Sequence, residues 1–202
     1  MKLYYSPGAC SLSPHIALQE AGLAADLVKV DLKTHTMDGG DDYYGVHVKG
    51  YVPLLELDDG TRLSEGPAIV QYLADRSPGS GLAPPAGTME RYRLQEWLNF
   101  ITSELHKAFS PLFDPAAPEA WKEIVRSRLA RRFDWLEGEL AGKDYLMGGQ
   151  FTVADGYLFT VLNWTKWVGI DLGRWPVLAA YVARVLERPK VRAAMQAEGL
   201  VK

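Results

Sequence analysis

The feature that most constrains the fold is a change of residue pattern at a turn-rich segment, residues 78–87. Before this segment, short runs with strand-like alternation are interspersed with helical runs. After it, nearly every apolar repeat has the period of an α-helix. The segment itself contains Pro78-Gly79 and Pro84-Pro85, dipeptides that are typical of turns. We therefore predict two domains, residues 1–77 and 88–202, joined by a linker at 78–87.

The first domain is predicted to contain a small mixed sheet. Its runs follow the order β-α-β-α-β-β-α, with strands that include residues 27–32 and 52–57. Asp58-Asp59-Gly60 indicates a tight hairpin that leads to a return strand at 61–63. An opening βαβ unit followed by a hairpin and a helix predicts a four-stranded α/β domain with helices packed on the sheet.

The second domain is predicted to be all helical. A long helix is expected over residues 88–109, and residues 152–155 form a variant of the capping box ahead of an apolar helix at 157–168. Proline is favoured in the first turn of a helix. On this basis further helices begin at Pro118, Pro176 and Pro189.

Cys10 is the only cysteine in the chain and lies between a predicted strand and a predicted helix. A Pro7-Gly8 turn precedes it, and Ser11 is placed to cap the helix that follows. The free N–H groups at a helix start favour a thiolate over a thiol and suit the binding of polarised ligand atoms. A lone cysteine is more often a small buried hydrophobe, but this setting predicts a functional Cys10.

Composition argues against several classes of function. A net charge of −3 lacks the basic excess of a nucleic-acid-binding protein. No apolar stretch approaches the roughly 18 residues of a membrane span. The four histidines are scattered, one cysteine permits no disulfide, and no GxGxxG or Walker-type loop occurs. We therefore expect no nucleic-acid, membrane, metal or nucleotide partner. The free cysteine and the lack of a secretory signal predict a cytoplasmic protein.

A polar face on the long helix could carry chemistry. Asn99, Ser103, His106 and Lys107 lie on one side of that helix, opposite its apolar stripe. This face is either solvated or lines a cleft in which His106 donates a hydrogen bond to a ligand. The spacing alone does not separate these two interpretations.

Two short segments of the first domain could also bind a ligand. Pro53 must begin a strand or lie on a sheet edge. A cis bond between Val52 and Pro53 would turn the Val52 backbone outward as an edge for an extended peptide. Glu65 and Gly66 precede a helix, where Glu65 either complements the helix dipole or pairs with the ammonium of a ligand.

Taken together, these features resemble the bacterial beta-class glutathione transferases over essentially the whole chain. The matching segments are residues 7–11, 50–53, 65–69, 97–107, 151–155 and 197–200. The resemblance implies a thioredoxin-like α/β amino-terminal domain followed by an all-α carboxy-terminal domain, and a homodimer.

The resemblance also implies where glutathione binds as co-substrate. The peptide would lie along Val52 and Pro53, with its γ-glutamyl end at Glu65 and Gly66 and its sulfur near Cys10. The full set of matching positions is Cys10, His35, Val52, Pro53, Glu65, Gly66, Asn99, Ser103, Glu104 and His106. Glu104 would lie near the two-fold axis and reach the glutathione of the neighbouring subunit.

The chain departs from the family pattern at three places. His35 replaces a lysine that usually reaches the glycyl carboxylate of glutathione. His47-Val48-Lys49 stands where an Asn-Pro pair is usual. Gly156 replaces a larger apolar residue, so the hydrophobic staple from Phe151 loses its usual partner.

The leading functional hypothesis is conjugation of the glutathione thiol to small, mostly apolar electrophiles. Cys10 and His106 would donate hydrogen bonds that favour the glutathione thiolate, and Ser11 and Tyr5 are further candidates for that role. The electrophile would contact aromatic side chains of the second domain, for which the candidates are Phe109, Phe113, Trp164 and Trp167.

The same residues also fit two alternative functions. One is a glutathione-dependent thiol-disulfide reductase or peroxidase that uses Cys10. The other is a non-catalytic glutathione-binding stress protein, since fold does not imply function.

Overall fold

The computed structural model describes all 202 residues, which form two compact units. The first unit comprises Met1–Ala83 together with Arg188–Lys202, and the second comprises Pro84–Glu187. The division after Ala83 falls within the predicted linker. Residues 188–202 belong to the amino-terminal unit.

A mixed sheet forms the centre of the first unit. Its strands are β1 (Lys2–Tyr5), β2 (Asp26–Asp31), β3 (Thr36–Met37), β4 (Leu54–Glu56) and β5 (Arg62–Ser64). Their order is β3-β2-β1-β4-β5, with β1 and β2 parallel and the other pairs antiparallel. The thioredoxin-like α/β class is confirmed, but the sheet has five strands and not four. The additional strand β3 is two residues long, too short to show an alternating pattern.

Two helices, α1 (Leu12–Ala21) and α2 (Gly66–Arg76), pack against each other and help cover the sheet. Leu3 of β1, Leu55 of β4 and Ile69 of α2 are completely buried and contribute to the core. The prediction of an α-helix between the strands expected at 27–32 and 52–57 is wrong. A single 3₁₀ turn at Tyr43–Gly45 stands there, because glycines with positive φ precede it and another glycine ends it.

The second unit is helical. Its helices are α3 (Met89–Phe100), α4 (Lys107–Phe113), α5 (Glu119–Leu140), α6 (Val153–Leu162) and α7 (Pro176–Leu186). The long helix predicted at 88–109 is interrupted by a π-helical turn at Ile101–His106. No helix of the protein combines the length and the apolar character that crossing a membrane requires.

The predicted capping box is present at the start of α6. Asp155 accepts hydrogen bonds from the Thr152 amide at 2.8 Å and the Thr152 hydroxyl at 2.9 Å. Its other oxygen accepts from the Leu146 amide at 2.8 Å and the Tyr181 hydroxyl at 2.9 Å. Phe151 packs edge-on against Tyr145, with the ring centres 5.6 Å apart, so it has an aromatic contact although Gly156 offers no side chain for a hydrophobic staple.

The last helix, α8 (Pro189–Ala197), packs on α1 and explains why the carboxy terminus belongs to the first unit. At its end the fully buried carboxylate of Glu198 accepts a hydrogen bond from the Gly8 amide at 2.8 Å. Its other oxygen lies 2.9 Å from Nδ1 of the buried His15. At the start of α8, the Arg188 side chain pairs with Glu20 on α1 at 2.7 Å. Side chains far apart in sequence therefore hold α8 in place.

Candidate functional site

Cys10 lies in the loop between β1 and α1, immediately before the residue at the N-cap of α1. Its side chain is partly exposed, and Sγ donates a hydrogen bond to the Val52 carbonyl oxygen at 3.2 Å. A carbonyl acceptor favours the protonated thiol, so this contact opposes the effect of the helix start. The arrangement places the thiol directly beside the segment predicted to bind a peptide.

Ser11 occupies the predicted N-cap position, but its side chain does not cap the helix. The buried hydroxyl accepts a hydrogen bond from the Ser6 amide at 3.1 Å and lies 3.2 Å from the Ser6 carbonyl oxygen, to which it donates. These two contacts close the loop that carries Cys10. The position of Ser11 therefore supports a role in holding this loop.

Val52 and Pro53 are joined by a cis peptide bond, and β4 begins directly after them. The Val52 side chain is buried with Tyr4, Tyr43 and other core residues, and Tyr43 donates to the Tyr51 carbonyl at 2.9 Å. The Val52 amide has no acceptor within the protein. The backbone at Val52 is thus anchored by its side chain and leaves a donor for an extended ligand.

Glu65 precedes α2 and has a φ of 72°, a conformation that non-glycine residues rarely adopt. Its carbonyl oxygen accepts hydrogen bonds from the amides of Ala68 and Ile69 at 3.0 Å each. Its exposed carboxylate pairs with Lys49 Nζ at 3.3 Å. The Gly66 amide at the helix start has no acceptor in the protein. A carboxylate and a free N–H group therefore lie next to each other at this helix start.

His35 also has a positive φ, of 54°, and its ring packs on Tyr44 with the ring centres 4.5 Å apart. Its Nδ1 is buried without a partner, so only Nε2 could reach a ligand. Gly50, with a φ of 64°, passes beneath both rings. A Cβ there would lie 2.8 Å from His35 Nδ1 and 2.7 Å from Tyr44, so no other residue fits.

His106 ends the π-helical turn of the second unit. Its Nδ1 lies 2.6 Å from the Tyr157 hydroxyl, and its ring packs edge-on against Trp164 at 4.8 Å. Within the turn Thr102 donates its hydroxyl to the Leu98 carbonyl oxygen at 2.8 Å. Side-chain donors of this kind compete with the regular backbone bonds of a helix, and π-helical turns are frequent at functional sites.

The other predicted residues of the second unit have partners within their own unit. Asn99 donates to the Gln95 carbonyl at 2.9 Å and Ser103 to the Asn99 carbonyl at 3.0 Å, and both side chains are exposed. Glu104 is paired with Arg132 on α5 at 2.6 Å. Any contact of Glu104 with a ligand would therefore compete with Arg132.

Three of the four predicted wall residues form one aromatic cluster. Phe109, Phe113 and Trp164 have ring centres 5.6 to 6.4 Å apart, and His106 packs on the same Trp164. Trp167 lies apart from this cluster and is covered by Lys166 at 5.2 Å. The cluster places an apolar surface directly beside His106.

Two contacts of these residues had no signal in the sequence. Tyr157, the partner of His106, is 51 positions away, and Lys49, the partner of Glu65, is 16 positions away. No group of three or more His, Cys, Asp or Glu side chains is arranged to hold a metal ion.

Comparison with known proteins accounts for both units. A family model described as "Glutathione S-transferase, N-terminal domain" matches residues 8–76, and one described as "Glutathione S-transferase, C-terminal domain" matches residues 100–189. Glutathione S-transferase GstA of Escherichia coli O157:H7 is 48% identical over 200 residues, covering 99% of this chain and 100% of that protein.

Two solved structures match the full length of the chain. A sphingomonad glutathione S-transferase complexed with glutathione is 48% identical with a TM-score of 0.95, and the match covers 100% of both chains. A bacterial beta-class glutathione S-transferase of Sphingomonas chungbukensis is 50% identical with a TM-score of 0.96, again over 100% of both chains. This chain therefore belongs to the glutathione S-transferases, and within that family to the bacterial beta class.

Proposed function

We propose that this glutathione transferase joins the sulfur of glutathione to small apolar electrophiles, and that glutathione lies along Val52. The observation that carries the proposal is the 3.2 Å contact between Cys10 Sγ and the Val52 carbonyl. It brings a partly exposed thiol beside a backbone segment whose amide has no acceptor. A carbonyl oxygen has two lone pairs, so the Val52 carbonyl can also accept from the ligand.

In the proposed reaction the enzyme favours the glutathione thiolate. Cys10 and His106 donate hydrogen bonds to the sulfur, which stabilise its charged form. A Tyr157 hydroxyl that donates to Nδ1 of His106 leaves the proton of the neutral ring on Nε2, the donor that the sulfur needs. The thiolate then attacks the electrophilic carbon, the new C–S bond forms, and the leaving group departs with its electron pair.

The electrophile is proposed to contact Phe109, Phe113 and Trp164. These rings form the apolar surface beside His106, and Phe113 is 47% exposed, so part of the cluster is open to a ligand. An apolar wall next to the sulfur favours apolar substrates and holds them near the nucleophile.

A second reaction is favoured by the partial exposure of Cys10. Its thiolate can attack the glutathionyl sulfur of a mixed disulfide between glutathione and another thiol, which breaks that disulfide, releases the other thiol as its thiolate and leaves glutathione joined to Cys10. A second glutathione then resolves this adduct to the thiol and oxidised glutathione. We also propose the cytoplasm as the compartment, because a free thiol persists in reducing surroundings.

One set of assays tests both reactions. Wild-type protein should conjugate an aryl halide and should gain the mass of one glutathione when exposed to oxidised glutathione. Cys10→Ala should lose the adduct and should conjugate the aryl halide more slowly than wild type, because one of the two proposed donors to the sulfur is removed. His106→Asn should lower kcat/KM for the aryl halide by about tenfold, the effect expected when one hydrogen bond to a charged group is lost. Absence of aryl halide turnover in folded wild-type protein would refute conjugation, and an adduct on Cys10→Ala would refute the role of that thiol.

We also propose a homodimer formed through the second unit. Trp135 of α5 packs on Phe100 and Trp97 of α3, with ring centres 4.7 and 5.7 Å apart, yet it remains 46% exposed. An exposed aromatic cluster of this kind is typical of protein interfaces, and the family resemblance makes a second copy of this chain the expected partner.

Sedimentation tests this surface. At micromolar concentration the wild type should have twice the mass of one chain, whereas Trp135→Lys should be a monomer because it places a charge in the apolar contact. Trp167→Lys is the matched control, since Trp167 is 48% exposed on the same unit, and it should remain a dimer. A dimeric Trp135→Lys, or a monomeric wild type, would contradict the proposal.

A further inference from the structure

The ion pair between Lys49 and Glu65 is suited to being opened by a ligand. The Lys49 and Glu65 side chains are 51% and 69% exposed, and their charged atoms are 3.3 Å apart. Exposed pairs of this kind contribute little to stability, so separating them costs little free energy.

The other cations near Glu65 are engaged or neutral. Arg62 donates to Glu56 at 2.8 Å and to the Val46 carbonyl at 2.7 Å. Burial lowers the pKa of His47, and the charges of Lys49 and Arg62 lower it further, so His47 is mainly neutral at pH 7. Lys49 therefore supplies the exposed positive charge beside Glu65.

The γ-glutamyl end of glutathione carries an ammonium and a carboxylate on the same carbon. Glu65 attracts the ammonium but repels the carboxylate, which needs donors or a cation of its own. The unpaired Gly66 amide and the Lys49 ammonium, both adjacent to Glu65, have the required chemistry.

We propose that Lys49 is a specificity-determining residue for the γ-glutamyl group. The zwitterionic end of the ligand takes the place of the Lys49–Glu65 ion pair: Lys49 pairs with its carboxylate and Glu65 with its ammonium. This inference rests on the proposed glutathione site and adds a residue to it. Position 35 offers only the Nε2 of a histidine, so the exposed lysine of this site lies at the γ-glutamyl end.

The test uses three S-methylated ligands, because their sulfur cannot ionise. They are S-methylglutathione, its analogue without the γ-glutamyl α-carboxylate, and its analogue without the glycyl carboxylate. Binding of each is measured by calorimetry to wild type, Lys49→Gln and Lys2→Gln. Lys2 is the matched control, because it is 49% exposed and pairs with Glu56 at 3.1 Å in the same unit.

Lys49→Gln should bind S-methylglutathione and the analogue without the glycyl carboxylate about three- to sixfold more weakly, as expected for one exposed charge pair. It should bind the analogue without the α-carboxylate as tightly as wild type or more tightly, since Lys49 no longer competes for Glu65. Lys2→Gln should match wild type throughout.

Three results would overturn the inference. The first is that Lys49→Gln binds all three ligands more weakly by the same factor. The second is that it weakens only the ligands that carry the glycyl carboxylate. The third is that its binding of S-methylglutathione is unchanged. A folded wild type that binds none of the ligands would instead refute the glutathione site itself, so the two failures are distinguishable.

Discussion

Asp155→Ala is expected to lower the free energy of unfolding by about 3 to 5 kcal/mol, the range for removing one partner from a buried charged network. The Asp155 carboxylate is completely buried and accepts four hydrogen bonds, from the amides of Leu146 and Thr152 and the hydroxyls of Thr152 and Tyr181. Alanine would leave both amides buried without an acceptor, and each unsatisfied group costs about 1 to 3 kcal/mol.

Urea denaturation at pH 7 measures this loss. Asp144→Ala is the control, because the Asp144 side chain is 66% exposed and lies 3.6 Å from Arg184, so it should lose at most about 0.5 kcal/mol. If the two variants were equally stable, the buried network would not hold the start of α6, and the capping box would be a geometric coincidence.

The same carboxyl gives a pH dependence of known sign. Burial raises the pKa of Asp155, and its hydrogen bonds oppose that rise without cancelling it. A carboxyl group whose pKa is higher in the folded state contributes its full stabilisation at pH values below its pKa in the unfolded state. This contribution is lost as pH rises through its pKa in the folded state. The stability advantage of wild type over Asp155→Asn should therefore shrink as pH is raised above about 4. An advantage that grows with pH would contradict this assignment.

Glu198→Ala is expected to have the second large effect, a loss of about 3 kcal/mol. Its side chain is fully buried and joins α8 to His15 on α1 and to the Gly8 amide in the loop that carries Cys10. Removing the carboxylate takes away the buried acceptor that His15 and the Gly8 amide share and releases one side of that loop. Binding of S-methylglutathione should weaken as well, because the loop that positions Cys10 loses an anchor.

Gln196→Ala is the matched control for Glu198. It lies two positions earlier on the same helix, and its exposed side chain contacts only the carbonyl of Lys202, at 3.3 Å. This variant should stay within about 0.5 kcal/mol of wild type, as surface substitutions generally do. Glu198→Gln retains the shape and one acceptor and should fall between the two. Full stability of Glu198→Ala would show that α8 is held by apolar packing alone.

Much of the fold could be predicted because it depends on neighbouring residues. The Asp58-Asp59-Gly60 hairpin joins β4 and β5 as expected, with the Asp59 carboxylate accepting from the Thr61 amide at 2.9 Å. The capping box at 152–155 and the helix starts at Pro176 and Pro189 are also confirmed. Each of these features is decided within a few residues, where turn and cap chemistry are strong.

Features that depend on partners far along the chain were not predictable. The strand β3 exists because Val30 and Asp31 pair with it. The helix α8 joins the first unit because Glu198 pairs with His15, a contact that no periodicity reveals. The π-helical turn at Ile101–His106 breaks the 3.6-residue spacing on which the polar face of the long helix was predicted.

The candidate site shows the same division. Sequence by itself determined the residue types, Cys10 before a helix, Pro53 at a strand start and Glu65 before α2, because each follows from local chain geometry. Only the tertiary structure decided their partners: Cys10 with Val52, His106 with Tyr157, Glu65 with Lys49. The physical reason is that local backbone preferences act over a few residues, whereas the hydrogen bonds and charges that tune a site join residues that meet only when the core has packed.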